Sequence, residues 1–390
     1  MRHIVAHLKK EKYFSYIYLS AFLLSLHYAF VLYINSSFLE QFISTETIAF
    51  LFAGSALINI TILLNITSLL RRFGNWRLMI SFLVLEMIGM LGMALSTNAA
   101  SVSICFLIFG SMASLLLFNL DIFLETEIKT ETHTGGIRGI FLTMCNLAFV
   151  LSPFVVGHLV GENNYMSIYT LSFIFLLLLL PIIIKKFKTF QDPEYSTMRV
   201  KNALSHFREN GNLFHIYVTN FLLQFFYAVM IIYTPIYLHQ YIGFSWGTIG
   251  EMFSIMLIPF ILFQVPGGEI SDHFGEKSIL IVGLILMAIS TLFLSLLGQN
   301  VIAWTILLFL TRCGASLVEI MTESYFFKHV KGKNSNIIGF FRTATPLSFV
   351  ITPIVATLFL ALFPMHYLYL LVGVMLLLGI QFAYNIKDTV

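Results

Sequence analysis

The sequence predicts an all-α membrane protein with 12 transmembrane helices arranged as two matched six-helix halves. Three observations lead there. The chain of 390 residues is 58% hydrophobic and only 11% charged, against roughly 25% charged in soluble domains. No soluble fold of this length buries so much apolar side chain, so lipid must solvate most of it. Second, the chain holds twelve apolar runs, each near the ~20 residues that one helix needs to cross a bilayer. Third, the second half repeats the first at an offset near 200 residues. Between 139–155 and 339–355, eight of 17 positions are identical: Gly139/Gly339, Phe141/Phe341, Thr143/Thr343, Leu147/Leu347, Phe149/Phe349, Val150/Val350, Pro153/Pro353 and Val155/Val355. About two would be expected by chance in so apolar a composition.

The runs, numbered as spans 1 to 12, are 13–34, 47–70, 78–96, 101–127, 139–160, 167–184, 213–238, 248–270, 278–297, 301–326, 337–362 and 366–385. Backbone groups in lipid must be satisfied within their own segment, so each is predicted helical. Span 1 follows Lys9, Lys10 and Lys12 with no signal-peptide cleavage pattern, and is predicted as an uncleaved first helix. The connections 35–46, 97–100, 161–166, 239–247, 298–300 and 363–365 hold no Lys or Arg. The alternate connections carry Arg71, Arg72, Arg77, Lys129, Lys185, Lys186, Lys188, Arg199, Lys201, Arg208, Lys277, Lys328, Lys331, Lys333 and Lys387. Positive residues gather on the cytoplasmic side, so both termini are expected there, in a plasma (inner) membrane. The polar segment 185–212 divides the chain into an N-terminal bundle, 1–184, and a C-terminal bundle, 213–390. It is expected to be a cytoplasmic linker with a short amphipathic helix at the membrane surface.

Composition also excludes classes. A net charge of +3 gives no basis for nucleic-acid binding. Cys105, Cys145 and Cys313 sit inside apolar runs and are expected to be inert thiols. No phosphate loop, nucleophile elbow, metal-spaced His/Cys cluster or HExxH pattern occurs. No enzymatic activity, cofactor or metal is expected, and the chain is expected to act as a monomer.

Between spans 8 and 9 the chain contains Gly268-Glu-Ile-Ser-Asp272-His-Phe-Gly275-Glu-Lys277. This resembles the loop signature of the major facilitator superfamily, G-x-x-x-D-x-x-G-x-[RK], in its expected place. Gly268 permits close helix packing, Gly275 a tight turn, and Asp272 can accept backbone or basic partners near a helix end. The resemblance implies a latch between helices. In the first half, aligned on Gly74, Thr67 replaces the first glycine and Arg71 replaces the acid. A latch of reversed sign, with Arg71 or Arg72 reaching Glu125 or Glu127, is one way to rebuild it. Span 5 carries Ser152-Pro153 with Gly157 and Gly161. It weakly resembles the glycine-proline motif of antiporters in this family, but bulky residues precede the proline, and it is read as a proline kink between packed helices.

Ionisable groups inside a membrane cost about 2.5–3.5 kcal/mol each to insert and are functional suspects. On span 10, Arg312, Glu319 and Glu323 follow at i, i+7 and i+11, on one helix face. Span 4 matches with Asp121 and Glu125. The resemblance implies that helices 1, 4, 7 and 10 line the substrate cavity. These acids can therefore bind protons and couple transport, or they can be salt-bridged at the helix ends and lock a gate, with Arg342 on span 11 a partner for Glu323. Glu86, in span 3, is expected to be a packing residue or the partner of a neighbour. His27 in span 1 is a proton carrier or a core histidine. Asn220, Gln224 and Tyr227 form a polar stripe on span 7, and Ser20 and His27 with Tyr28 a shorter one on span 1. They are candidates for substrate contact or for interhelical hydrogen bonds.

The expected function is secondary active transport of a small molecule by alternating access. Proton coupling and export of amphipathic or cationic compounds are favoured. Proton-linked uptake of a metabolite such as a sugar or organic acid, and a non-transporting sensor or scaffold, are the alternatives. Protons, the substrate and the lipid bilayer are the expected partners.

Overall fold

A computed structural model describes residues 12–32, 34–128, 134–159, 165–195, 207 and 210–389. Lys9, Lys10, Lys129, Gly161, Arg199, Lys201 and Arg208, and most of the linker after Tyr195, lie outside them. The described residues are helices, turns and loops, with no strand. Eleven of these helices are long and apolar enough to cross a membrane. A bent pair, Phe50–Leu64 and Ile66–Phe73, broken by 60°, makes the twelfth span. The protein is an all-helical integral membrane protein with the expected succession of spans.

Span 1 is Lys12–Leu32, and span 2 is Thr45–Leu64 followed by Ile66–Phe73. Spans 3 to 6 are Asn75–Leu95, Ala99–Glu127, Thr134–Leu159 and Tyr165–Lys186. Span 7 is Gly211–Ile236, and spans 8 to 10 are Trp246–Phe274, Lys277–Leu294 and Val301–His329. Span 11 is Ser335–Arg342 continued by Ala344–Leu360, and span 12 is Tyr367–Tyr384. Pro153 and Pro353 both lie inside their helices. Span 7 ends in a π turn, Tyr237–Tyr241, which begins two residues after Pro235. Proline has no N–H to donate to the preceding turn, which loosens the α ladder where the wider turn begins.

The chain forms two compact units. One comprises Met1–Lys129, Leu151–Leu204 and Val330–Leu347; the other comprises Thr130–Val150, Ser205–His329 and Ser348–Val390. In the first unit the main helix contacts pair spans 3 with 4, 1 with 6, 3 with 6, 2 with 4, and 1 with 4. In the second they pair 9 with 10, 7 with 12, 9 with 12, 8 with 10, and 7 with 10. Each pair in one unit is the other's advanced by six spans, so the sequence repeat is also a repeat of packing. Each unit also holds the beginning of a helix from the other half of the sequence. The start of span 11 packs on spans 2 and 4 in the first unit. The start of span 5 packs on span 8 in the second, where a Cβ on Gly268 would run into the Gly135 carbonyl. Gly268 therefore has a steric reason, a backbone-on-backbone approach.

Candidate functional site

The latch loop of the second unit is built around Asp272. Its two carboxylate oxygens accept the backbone N–H groups of Gly135 (3.0 Å) and Gly136 (2.9 Å). These are among the first N–H groups of span 5, which have no partner inside their own helix, and a carboxylate there also meets the positive end of the helix dipole. Lys328 lies 3.3 Å from Asp272 and 2.6 Å from Glu276. Burial raises the Glu276 carboxyl above its ordinary range, against the opposing pull of Lys328 and Thr389. Gly275 turns the chain with φ +79°, and Lys277 rests its ammonium over the Tyr384 ring.

In the first unit the loop is made differently. Gly74 keeps the left-handed turn, with φ +76°. Arg71 makes no side-chain hydrogen bond or ion pair among the described residues, and Arg72 lies over the Phe73 ring, 5.2 Å from its centre. The reversed latch of Arg71 or Arg72 with Glu125 or Glu127 is not formed. The short polar residues reach further than expected: Thr67, in the place of the first glycine, hydrogen-bonds Ser335 at the start of span 11, 2.9 Å away. The acid comes from the linker, where Asp192 accepts the Asn75 N–H at 2.8 Å.

Two buried ion pairs each join one half of the sequence to the other. Arg342 on span 11 reaches Asp121 on span 4, with Nε to Oδ2 at 2.6 Å, inside the first unit. Arg138 on span 5 lies 3.6 Å from Glu323 on span 10, inside the second, with its guanidinium stacked 3.3 Å from the centre of the Phe327 ring. Inside the first unit the partner of Arg342, weighed in the sequence as a mate for Glu323, is Asp121. The repeat aligns Asp121 with Glu319 and Glu125 with Glu323, so the two locks use non-equivalent acids. Glu125 is buried at the end of span 4.

Glu319 accepts a 2.6 Å hydrogen bond from the Gln264 side chain of span 8, whose carbonyl in turn accepts from Asn146 of span 5 at 3.2 Å. Two turns earlier on span 10, Arg312 is buried, its guanidinium 5.0 Å from the Phe226 ring and 5.7 Å from that of Tyr227. The span 7 stripe faces this group through Tyr227, whose buried hydroxyl has no hydrogen bond. Neither Asn220 nor Gln224 makes a side-chain hydrogen bond among the described residues. Interhelical bonding therefore does not account for them.

His27 is fully buried in the first unit. Its Nε2 lies 2.8 Å from Glu86 of span 3 and its Nδ1 2.7 Å from the Ser172 hydroxyl of span 6, which donates back to the His27 carbonyl. Because that hydroxyl's proton is used, Nδ1 carries the hydrogen and donates to Ser172. Glu86 thus has its partner in His27. Ser20, on the same face of span 1, is buried with its hydroxyl unbonded, and Tyr28 is half-buried. Arg138, Gln264, Ser172 and Asp192 are the contributors that the sequence did not single out. Arg138 alone carried a signal, a cation directly before an apolar span.

The family model described as Major Facilitator Superfamily matches residues 216–388. No curated protein matches the chain. Among solved structures, the chain is similar to the crystal structure of the human organic anion transporter MFSD10 (TETRAN), with 14% identity and a TM-score of 0.73 over 95% of this chain and 98% of that one. At such low identity the likeness is one of fold alone. The family model thus matches 173 of the 390 residues, all in the second half, and the likeness in fold runs over almost the whole chain.

Proposed function

We propose that the protein is a proton-coupled secondary transporter that exports amphipathic compounds, with its halves 1–184 and 213–390 alternating in access about the 185–212 linker. Membrane orientation follows the charge distribution, with both termini cytoplasmic in the plasma (inner) membrane. The reading rests on the two cross-half ion pairs, Asp121–Arg342 and Glu323–Arg138. Removing one partner of a buried pair leaves an uncompensated charge and costs about 3–5 kcal/mol. Parting both partners into water avoids that penalty. Such a bond holds a gate closed and yet permits it to open.

Glu319 is the proposed proton site. Its carboxylate accepts a hydrogen bond from the Gln264 amide of span 8, which ties this acid to the neighbouring helix. Asn220, Gln224 and Tyr227 are the proposed substrate contacts, on the strength of their unbonded polar groups. A second reading, an amphipathic substrate with an anionic head, is supported by Arg312 on its two aromatic rings. The organic anion transport named for the structural neighbour also supports it. Proteoliposomes with an imposed pH gradient separate these readings, assayed with cationic and anionic amphipathic dyes. Absence of flux of either class, with and without the gradient, sinks the transporter reading. In the Glu319→Gln variant, gradient-driven accumulation should disappear while substrate exchange persists.

A further inference from the structure

A cavity of about 680 Å³ opens in the first unit between the end of span 2, the start of span 3 and the segment after span 6. This lies within the roughly 300–1,000 Å³ of small-molecule sites. Arg71, Arg77 and Lys188 line it. All three are exposed, and none has a side-chain hydrogen bond or ion pair among the described residues. The acids at the wall are Asp192 and Glu194. Asp192 is already engaged: its Oδ1 accepts the Asn75 N–H and the Tyr195 hydroxyl. Aromatic side chains complete the lining. Phe73 is 42% exposed, and Trp76 is fixed by its indole N–H on the Ile183 carbonyl at 3.0 Å. Phe190 is the third. The 60° break before Ile66–Phe73 turns the basic last turn of that helix off the axis of span 2.

Guanidinium groups are suited to phosphate oxygens, and an ammonium supplies a point charge beside them. The amphipathic indole of a tryptophan, here the partly exposed Trp76, favours the headgroup level of a bilayer. We propose that this pocket binds a phosphate group through Arg71, Arg77 and Lys188. At this position the source that fits the aromatic lining is the headgroup of an acidic phospholipid, and soluble phosphate is the other source of the same chemistry. The site lies wholly in the first unit and does not depend on the transport reading.

Thermal unfolding of the full-length protein in a neutral detergent tests it. The additions are phosphatidylglycerol, phosphatidylcholine or inorganic phosphate, and the triple variant Arg71→Gln/Arg77→Gln/Lys188→Gln is compared with wild type. Phosphatidylglycerol should raise the wild-type melting temperature where phosphatidylcholine does not, and the triple variant should need at least about tenfold more of it. Arg72→Gln, whose side chain lies outside the lining, should respond as wild type does. Should the triple variant not fold, Lys188→Gln alone, on an exposed side chain, should weaken the response several-fold. Stabilisation by inorganic phosphate but not by the lipid, lost in the variants, supports the site and assigns it a soluble source. An equal response in wild type and variants, or none in wild type to either ligand, overturns the proposal.

Discussion

Asp192 accepts the Asn75 backbone N–H at 2.8 Å, and Asp388 accepts that of Glu276 at 2.7 Å. Each acid follows the last span of its half and caps the start of that half's third span, beside a left-handed glycine, Gly74 or Gly275. The closeness is such that a side chain on either glycine would meet the aspartate. Loss of such a cap should cost about 1 kcal/mol. Asp192→Ala and Asp388→Ala should therefore each lower the melting temperature modestly, and the double variant should show the sum, since the two caps lie in different units. Strong non-additivity in melting curves would contradict independent caps.

The cross-half locks call for a double-mutant cycle. Arg342→Ala and Asp121→Ala should each destabilise by about 3–5 kcal/mol, and the double variant by much less than their sum, because neither then strands a buried charge. Chemical denaturation in mild detergent measures the coupling. A coupling energy near zero would show that the 2.6 Å contact contributes nothing.

His27 should prove structural. His27→Leu removes the partner of Glu86 and should lower stability, but it should leave the pH dependence of transport where it was, since the ring is fully buried against spans 3 and 6. A shifted pH profile in proteoliposome flux would return His27 to the coupling pathway.

Glu276 gives a pH signature in the latch. Its carboxyl is held above the ordinary value of 4.5 chiefly by burial, so the folded state holds the proton more tightly than the unfolded chain. That contribution is complete below 4.5 and is lost as pH rises through the folded value. Glu276→Gln mimics the protonated form. The difference in melting temperature between variant and wild type should then shrink as pH falls toward 4.5. A difference that stays constant or widens on acidification would contradict it.

The twelve spans were legible because each is a run of apolar residues long enough for a bilayer, and the latch because its residues are neighbours in sequence. Partnership was not legible. Helical spacing placed His27 on one face of span 1, yet nothing local says that this face meets Glu86, 59 residues away along the chain. Glu86 accordingly had no visible mate. Asp192 and Asp388 sit in polar stretches without periodicity, and their role comes only from the third helix of each half returning to them. The sign-reversed latch failed for a related reason. Matching charge to charge along the alignment left out the acid that the linker supplies.

The offset of the two locks has a consequence for how the halves could diverge. In the register of the repeat, Arg342 stands one turn beyond the position of Arg138, and Asp121 one turn before that of Glu323. Two antiparallel helices present the same facing surface again after each turn, so moving both partners together restores the meeting. Glu125 still occupies the place that Glu323 uses. Ile338→Arg combined with Arg342→Leu would therefore hand the lock back to Glu125 and make the two halves alike. The duplicated architecture tolerates a paired displacement that neither residue could make alone.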